Sequence, residues 1–198
     1  GVGGGFTTTS KITKGPYLIY LDNPATMKVM WQDDGTGGGS VQWGSTSSYG
    51  NSGNGQNLGS NLYSYTITGL TPGQKVYYKV NVGTGSATSF FYTAPAATAA
   101  QATLYAAGDS RSNPSYQNNC FQSMLADMDA AESTRNSIML HSADMVTDGA
   151  NETDWANGWF ARSGTSSMEA QSRFPIMAAV GNHEAATQPN CDTWRRYL

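Results

Sequence analysis

From Lys11 to about Pro95 the chain alternates short apolar and β-branched runs with clusters of glycine, serine, asparagine and aspartate. The runs are GPYLIYLD, TMKVMWQ, SVQWGS, LYSYTITGL, KVYYKVNVG and TSFFYTAP, and segments such as DDGTGGGS and SYGNSGNGQNLGS separate them. Short β-type runs bounded by turn residues predict strands, and the intervening segments read as turns and loops. Six or seven strands at this spacing predict an antiparallel sandwich. Beyond residue 102 the pattern changes. Thr103–Ala107, Ser137–His141 and Phe174–Val180 are nearly continuous apolar runs, as expected of strands covered on both faces. Between the first two, Phe121, Met124, Leu125 and Met128 follow the i, i+3, i+4, i+7 spacing of a helix with one buried face. Between the second and third, Trp155 and Trp159 sit four apart and predict another helix. The order βαβαβ implies a parallel sheet with right-handed crossovers, whose ligand edge lies beyond the carboxyl ends of the strands.

The change of pattern divides the 198 residues into two domains, each long enough for a core. Residues 1–10 are a Gly/Thr-rich leader, 11–95 the sandwich, 96–102 a Pro- and Ala-rich linker, and 103–198 the α/β part. Trp31, Trp43 and the tyrosines are expected in the core and on the sheet faces. A solvent-facing row of Trp43, Tyr49 and Tyr63 would instead favour carbohydrate binding.

Composition narrows the function classes. Only 13% of residues are charged, with a net charge of −3, so there is no electrostatic basis for a nucleic-acid partner. No stretch approaches the roughly 18 apolar residues of a membrane helix. The abundance of Gly, Ser, Thr, Asn and Tyr suits a secreted, extracellular or periplasmic protein. Cys120 and Cys191 are too far apart for a CxxC motif, leaving a disulfide or two thiols; the disulfide is expected in an oxidising compartment.

Each of the last three strands closes on polar residues. Gly108-Asp109-Ser110-Arg111 follows the first, Ala143-Asp144 the second and Gly181-Asn182-His183-Glu184 the third. Parallel strands bring all three clusters to one sheet edge. Two carboxylates, an amide oxygen and an imidazole there suit Mn, Fe, Zn or Mg rather than a thiolate-seeking metal. Two such ions could clamp a phosphate and activate water.

In this order the clusters resemble the GD, GD and GNH[DE] motifs of the calcineurin-like metallophosphoesterase superfamily. The branch most similar is the purple acid phosphatases, which also carry a fibronectin type III-like domain ahead of the catalytic one. Trp31, and Gly69-Leu70-Thr71-Pro72-Gly73 followed by Tyr77 and Tyr78, resemble markers of that domain, in which a tyrosine hydroxyl pins a turn between strands. The resemblance implies a fibronectin III-like sandwich followed by the N-terminal βαβαβ half of the metallophosphoesterase α/β sandwich. It implies hydrolysis of small phosphate esters by hydroxide generated on two metal ions (Fe, Mn or Zn). Asp109 would hold the first ion, Asp144 bridge both and Asn182 hold the second. His183 would stand beside the substrate as the catalytic residue, and Glu184 would orient the loop behind the ligands.

The departures from that pattern carry expectations of their own. Ala143 stands where the family has glycine, and Thr147 where purple acid phosphatases have the tyrosine that colours ferric iron, so a purple centre is not expected. Arg111 is read either as a phosphate ligand or as the partner of an acid such as Asp148, and His141 as a support for its loop. The family completes its site with further histidines, and this chain has only His141 and His183. The chain is therefore expected to be an N-terminal portion, inactive alone, with self-association or a further segment completing the sheet. The alternative is a structural or adhesive extracellular module with a vestigial metal site.

Overall fold

The computed structural model describes residues 11–130, 137–160 and 165–198; the Gly/Thr-rich leader lies outside them. The described residues form 11 strands and five α-helices. Strands β1 (Ile12–Ile19), β2 (Met27–Asp33), β3 (Ser40–Gly44), β4 (Asn51–Asn54), β5 (Gln56–Gly59), β6 (Leu62–Ile67), β7 (Lys75–Val82) and β8 (Gly85–Tyr92) come first. They make two facing sheets: β4-β3-β7-β8, and β5-β6-β2-β1 as one end of a larger sheet.

β4 and β5 are a correction to the turn reading of their segment. Their residues, Asn51-Ser-Gly-Asn54 and Gln56-Asn-Leu-Gly59, are almost wholly exposed and lack apolar alternation. They are strands because each pairs antiparallel with a neighbour, β4 with β3 and β5 with β6. Polar edge strands of this kind leave no hydrophobic signature.

Between the two sheets lies a core of Ile12, Leu18, Val29, Trp31, Val41, Ile67, Val80 and Phe91, among others. β7 alternates half-buried and buried along its whole length, the signature of a strand with one face on this core. Trp31 is fully buried and stacks on Tyr63 with ring centroids 6.0 Å apart, so both side chains belong to the core. Trp43 packs on Tyr65 at 5.1 Å, and the solvent-facing row of Trp43, Tyr49 and Tyr63 does not form.

The turn at residues 69–73 is held by Thr93. Its hydroxyl donates to the Thr71 carbonyl at 2.7 Å and accepts from the Gln74 N–H at 2.8 Å. Tyr78 instead donates to the Ser172 carbonyl at 2.8 Å. That hydroxyl ties the sandwich to the α/β part, which is where the corner expected from the turn sequence differs.

The second core surrounds β9 (Thr103–Ala107), β10 (Ser137–His141) and β11 (Pro175–Ala178), which are mutually parallel. Helix α1 (Pro114–Ala130) buries Phe121, Met124, Leu125 and Met128, the residues its periodicity predicted, and also Gln117. The segment around Trp155 and Trp159 begins as the short helix α2 (Glu152–Asp154), widens into a π-helical turn at Trp155–Trp159 and is followed by α3 (Thr165–Arg173). Asn157-Gly158 lies in that widened turn, and the Trp155 indole N–H donates to the Gly149 carbonyl at 2.9 Å. Helices α4 (Asn182–Ala185) and α5 (Asp192–Tyr197) follow β11.

One sheet runs through both cores in the order β5-β6-β2-β1-β11-β10-β9. Its joint is a short parallel pairing of β1 with β11, Leu18 opposite Pro175 and Ile19 opposite Ile176. β1 is accordingly buried on both faces: Ile12 and Leu18 face the sandwich core while Tyr17 and Ile19 face the other. Residues 96–102 thus separate the two parts in sequence but not in the sheet.

The expectation that the last three strands are covered on both faces is corrected. Tyr105, Ala107, Met139, Ile176 and Ala178 pack in the helical core, whereas Leu104 and Met177 on the opposite face are 59% and 45% exposed. Among the described residues α1 and α3 cover the same face, which leaves the other bare.

Candidate phosphate and metal site

The carboxyl ends of β9, β10 and β11 lie side by side because backbone hydrogen bonds continue past the strands. Ser142 N–H donates to the Ala107 carbonyl at 2.8 Å, Asp109 N–H to Ala143 at 3.1 Å, and Ala179 N–H to His141 at 2.9 Å. The three polar clusters therefore meet at one edge. Gly149 N–H, donating to the His183 carbonyl at 3.0 Å, closes the second loop onto the third.

Glu184 holds this edge together. Its side chain is buried, at 1% exposure, and its carboxylate accepts four backbone N–H groups. Oε1 takes Met145 at 2.7 Å and Val146 at 3.3 Å; Oε2 takes Asp144 at 3.0 Å and Gly181 at 2.8 Å. A buried anion is tolerable only when hydrogen bonds satisfy it, and here the donors come from two different loops.

Asp144 is thereby fixed next to the third loop, where its Oδ1 accepts the His183 N–H at 3.3 Å. Gly181 must be glycine for steric reasons, since a Cβ there would stand 2.1 Å from Asp144 Oδ1 and 2.9 Å from Ala143 Cβ. At Ala143 itself φ is +95°, a conformation that favours glycine, and this chain carries a methyl there. Asp109 and Asp144 also adopt left-handed conformations, φ +52° and +56°.

Arg111 joins the two aspartates. Its Nη1 is 2.8 Å from Asp109 Oδ1 and 3.3 Å from Asp144 Oδ2. Of the two readings of this arginine, the acid it pairs with is not Asp148, which accepts instead from Ala150 N–H and the Thr187 hydroxyl. The Asp109 carboxylate is 78% exposed and that of Asp144 15%, so the pair opens to solvent on the Asp109 side.

His183 Nδ1 lies 2.7 Å from the Thr147 carbonyl, to which it donates, so the bond fixes the orientation of the ring. Asn182 is exposed at the start of α4. His141, at the end of β10, is 2% exposed; its Nε2 is 3.2 Å from the Ser110 hydroxyl and its ring meets Trp159 edge-on at 4.9 Å. Burial lowers its pKa to about 4, against the opposing pull of the Glu184, Asp109 and Asp144 carboxylates.

The structure thus brings Asp109, Arg111, Asp144, His183 and Glu184 into one hydrogen-bonded cluster and places His141 behind it. Two further residues support the cluster in roles the sequence did not indicate. Ser110 supports His141, and Thr147, noted in the sequence only for the tyrosine it replaces, links His183 to Arg111 by donating its hydroxyl to the Arg111 carbonyl at 3.3 Å.

The fit of a cation is testable on this geometry. The Asp109 and Asp144 carboxylates already share one positive group, the Arg111 guanidinium, and carboxylate with amide oxygens suits a hard divalent ion. Among the described residues no three His, Cys, Asp or Glu side chains converge as a metal-binding set.

The expected disulfide is corrected: both cysteines are free. Cys120 is exposed on α1, beside the hollow between that helix and the Asp109 loop. Cys191 is buried at the start of α5, whose Tyr197 is bonded to Lys14 of β1. β9, which the Asp109 loop follows, and β1 are separated in the sheet by β10 and β11.

Two solved structures are similar to this chain in fold. The first is purple acid phosphatase PPD1 from yellow lupin (Lupinus luteus) seeds: TM-score 0.59, 17% identity, covering 86% of this chain and 36% of that one. The second is PhoD, with a TM-score of 0.60 and 15% identity over 93% of this chain and 41% of its own. The chain shares their fold. The likeness read from the three strand-end motifs therefore holds at the level of architecture, and the chain spans about two fifths of the length of these proteins or less. No protein-family model and no curated protein matches the sequence. No helix among the described residues is long and apolar enough to cross a membrane.

Proposed function

We propose that this chain carries the nucleus of a metal-dependent phosphoesterase site acting on small phosphate esters, as part of an exported protein. The observation that supports it best is the Glu184 clamp, which spends a buried carboxylate on holding Asp144 against the His183 loop. Its bond from Gly181 N–H is the ordinary capping box of α4, but the three N–H groups it takes from Asp144, Met145 and Val146 bind one motif loop to the other. Asp109, Asp144 and Asn182 would hold divalent cations, which when bound supply charge stabilisation and a more acidic water. The chain's own residues do the rest. His183, oriented by Thr147, faces the ester and handles a proton at the leaving oxygen, while Arg111 offers a planar fork to the phosphoryl oxygens.

Asp109, Asp144 and Asn182 are fewer donors than a divalent ion usually takes, so turnover requires donors beyond these motifs and the chain alone is inactive. The structural-module reading draws on the lack of a converged three-residue ligand set among the described residues. Titration calorimetry with Mn²⁺ separates the two readings. Weak binding that Asp144→Asn abolishes, without hydrolysis of p-nitrophenyl phosphate, is expected. Failure of the folded chain to bind Mn²⁺ refutes the metal-site reading, and hydrolysis by the chain alone refutes its incompleteness.

A further inference from the structure

We infer that Arg111 is the resident cation of the Asp109–Asp144 pair, and that a divalent ion binds there only by displacing it. The displaced guanidinium then becomes the phosphate ligand. The inference rests on the metal-site reading above but goes beyond it, because it makes metal and phosphate binding mutually dependent through one side chain.

The argument begins with charge. Two carboxylates within reach of one nitrogen repel each other unless a cation lies between them, and Arg111 Nη1 is that cation at 2.8 and 3.3 Å. A divalent ion binds carboxylate oxygens at about 2.0–2.6 Å. A guanidinium nitrogen still bonded to the same two carboxylates would then lie within a few ångström of a doubly charged ion, with no screening water between them. The two cations exclude one another.

The backbone shows what can move. Arg111 N–H donates to the Asp144 carbonyl at 3.1 Å and its carbonyl accepts the Thr147 hydroxyl at 3.3 Å, so the main chain is anchored at both ends of the residue. Its side chain is 28% exposed and, among the described residues, bonds only through Nη1 to carboxylates, so swinging the guanidinium outward requires no movement of this main chain. Thr147 also orients His183 through its carbonyl. The swung guanidinium and the His183 ring therefore project from one anchored loop pair onto the same edge, where a phosphate between them meets both. Arginine suits this exchange, because its fork binds a carboxylate pair or a phosphate with the same geometry. Lysine, a point charge, would not transfer in this way.

Three consequences distinguish this exchange from a fixed phosphate ligand. Mn²⁺ raises the affinity of the wild-type chain for inorganic phosphate. Arg111→Gln, a neutral substitution of similar length, tightens Mn²⁺ binding about tenfold or more, and at the same time removes the effect of Mn²⁺ on phosphate. The Arg111 side-chain ¹⁵N resonance of the wild type shifts and averages on addition of Mg²⁺, as expected of a guanidinium released from two carboxylates.

The test is titration calorimetry of the 198-residue chain with Mn²⁺ and then with phosphate, together with Arg-side-chain NMR, on wild type, Arg111→Gln and Arg111→Lys. Circular dichroism checks that each variant is folded. Equal Mn²⁺ affinity in folded wild type and Arg111→Gln, or an Arg111 resonance unmoved by saturating Mg²⁺, overturns the displacement while leaving the metal site standing. If the folded wild type does not bind Mn²⁺, the metal-site reading fails and this inference with it. If Arg111→Gln does not fold, Arg111→Lys decides: it keeps the charge, and the exchange requires that it lose the coupling to phosphate.

Discussion

Replacing Glu184 with glutamine tests whether one buried carboxylate organises the whole edge. The carboxylate receives Met145 and Val146 N–H on one oxygen and Asp144 and Gly181 N–H on the other. A glutamine of the same shape can present only one acceptor oxygen, and whichever way the amide is turned its NH₂ group faces two N–H donors. Two buried N–H groups are left unmet, at about 1–3 kcal/mol each, and the charge assistance on the other two is lost. The expected destabilisation is at least about 2–6 kcal/mol. For a protein of this size that is a fall of roughly 4–24 °C in Tm. Thermal unfolding by circular dichroism at neutral pH measures it, and the same variant should lose Mn²⁺ binding because Asp144 is no longer positioned. A Tm within 1 °C of wild type, with Mn²⁺ binding intact, would refute the clamp.

Three further outcomes follow from the geometry. Ala143→Gly relieves a positive-φ alanine at about 1–2 kcal/mol and gives back about 0.5–1 kcal/mol in chain entropy, so urea unfolding should show a net gain between about 0 and 1.5 kcal/mol; a loss would contradict the strain argument. Burial depresses the His141 pKa to about 4, so the unfolded chain binds the proton first. The stability it contributes is present above about 6.5, the ordinary histidine value, and is lost as pH falls toward 4, a change of about 3 kcal/mol. His141→Gln should flatten the Tm-versus-pH curve in that window, and an unchanged slope would be inconsistent with a buried neutral imidazole. Ellman titration of the native protein should find Cys120 reacting quickly and Cys191 slowly, with two thiols after unfolding without reductant; none would restore the disulfide.

The meeting of the strand-end loops was legible because apolar runs of strand length mark where parallel strands end. Thr103–Ala107 and Ser137–His141 are strands over the lengths their apolar runs predicted, and Asp109, Asp144 and His183 follow from where such runs end. The α1 face was legible for the same reason: helical periodicity records which side of an element is buried. β4 and β5 were not, because Asn51–Asn54 and Gln56–Gly59 owe their conformation to a neighbour's backbone and carry no apolar pattern of their own.

What tertiary structure alone decided are the pairings between residues distant along the chain. Arg111 chooses Asp144 over Asp148 because the Asp109 and Asp144 loops are laced together by main-chain bonds. Cys120 and Cys191 stay unpaired, the one on α1 beside the Asp109 loop and the other at the start of α5, whose Tyr197 reaches Lys14 of β1. β1 joins β11, carrying one sheet through both cores, although a Pro- and Ala-rich segment divides them in sequence. Periodicity determines which face of an element is buried; which element it meets there depends on how all the buried faces pack at once, and no local pattern contains that.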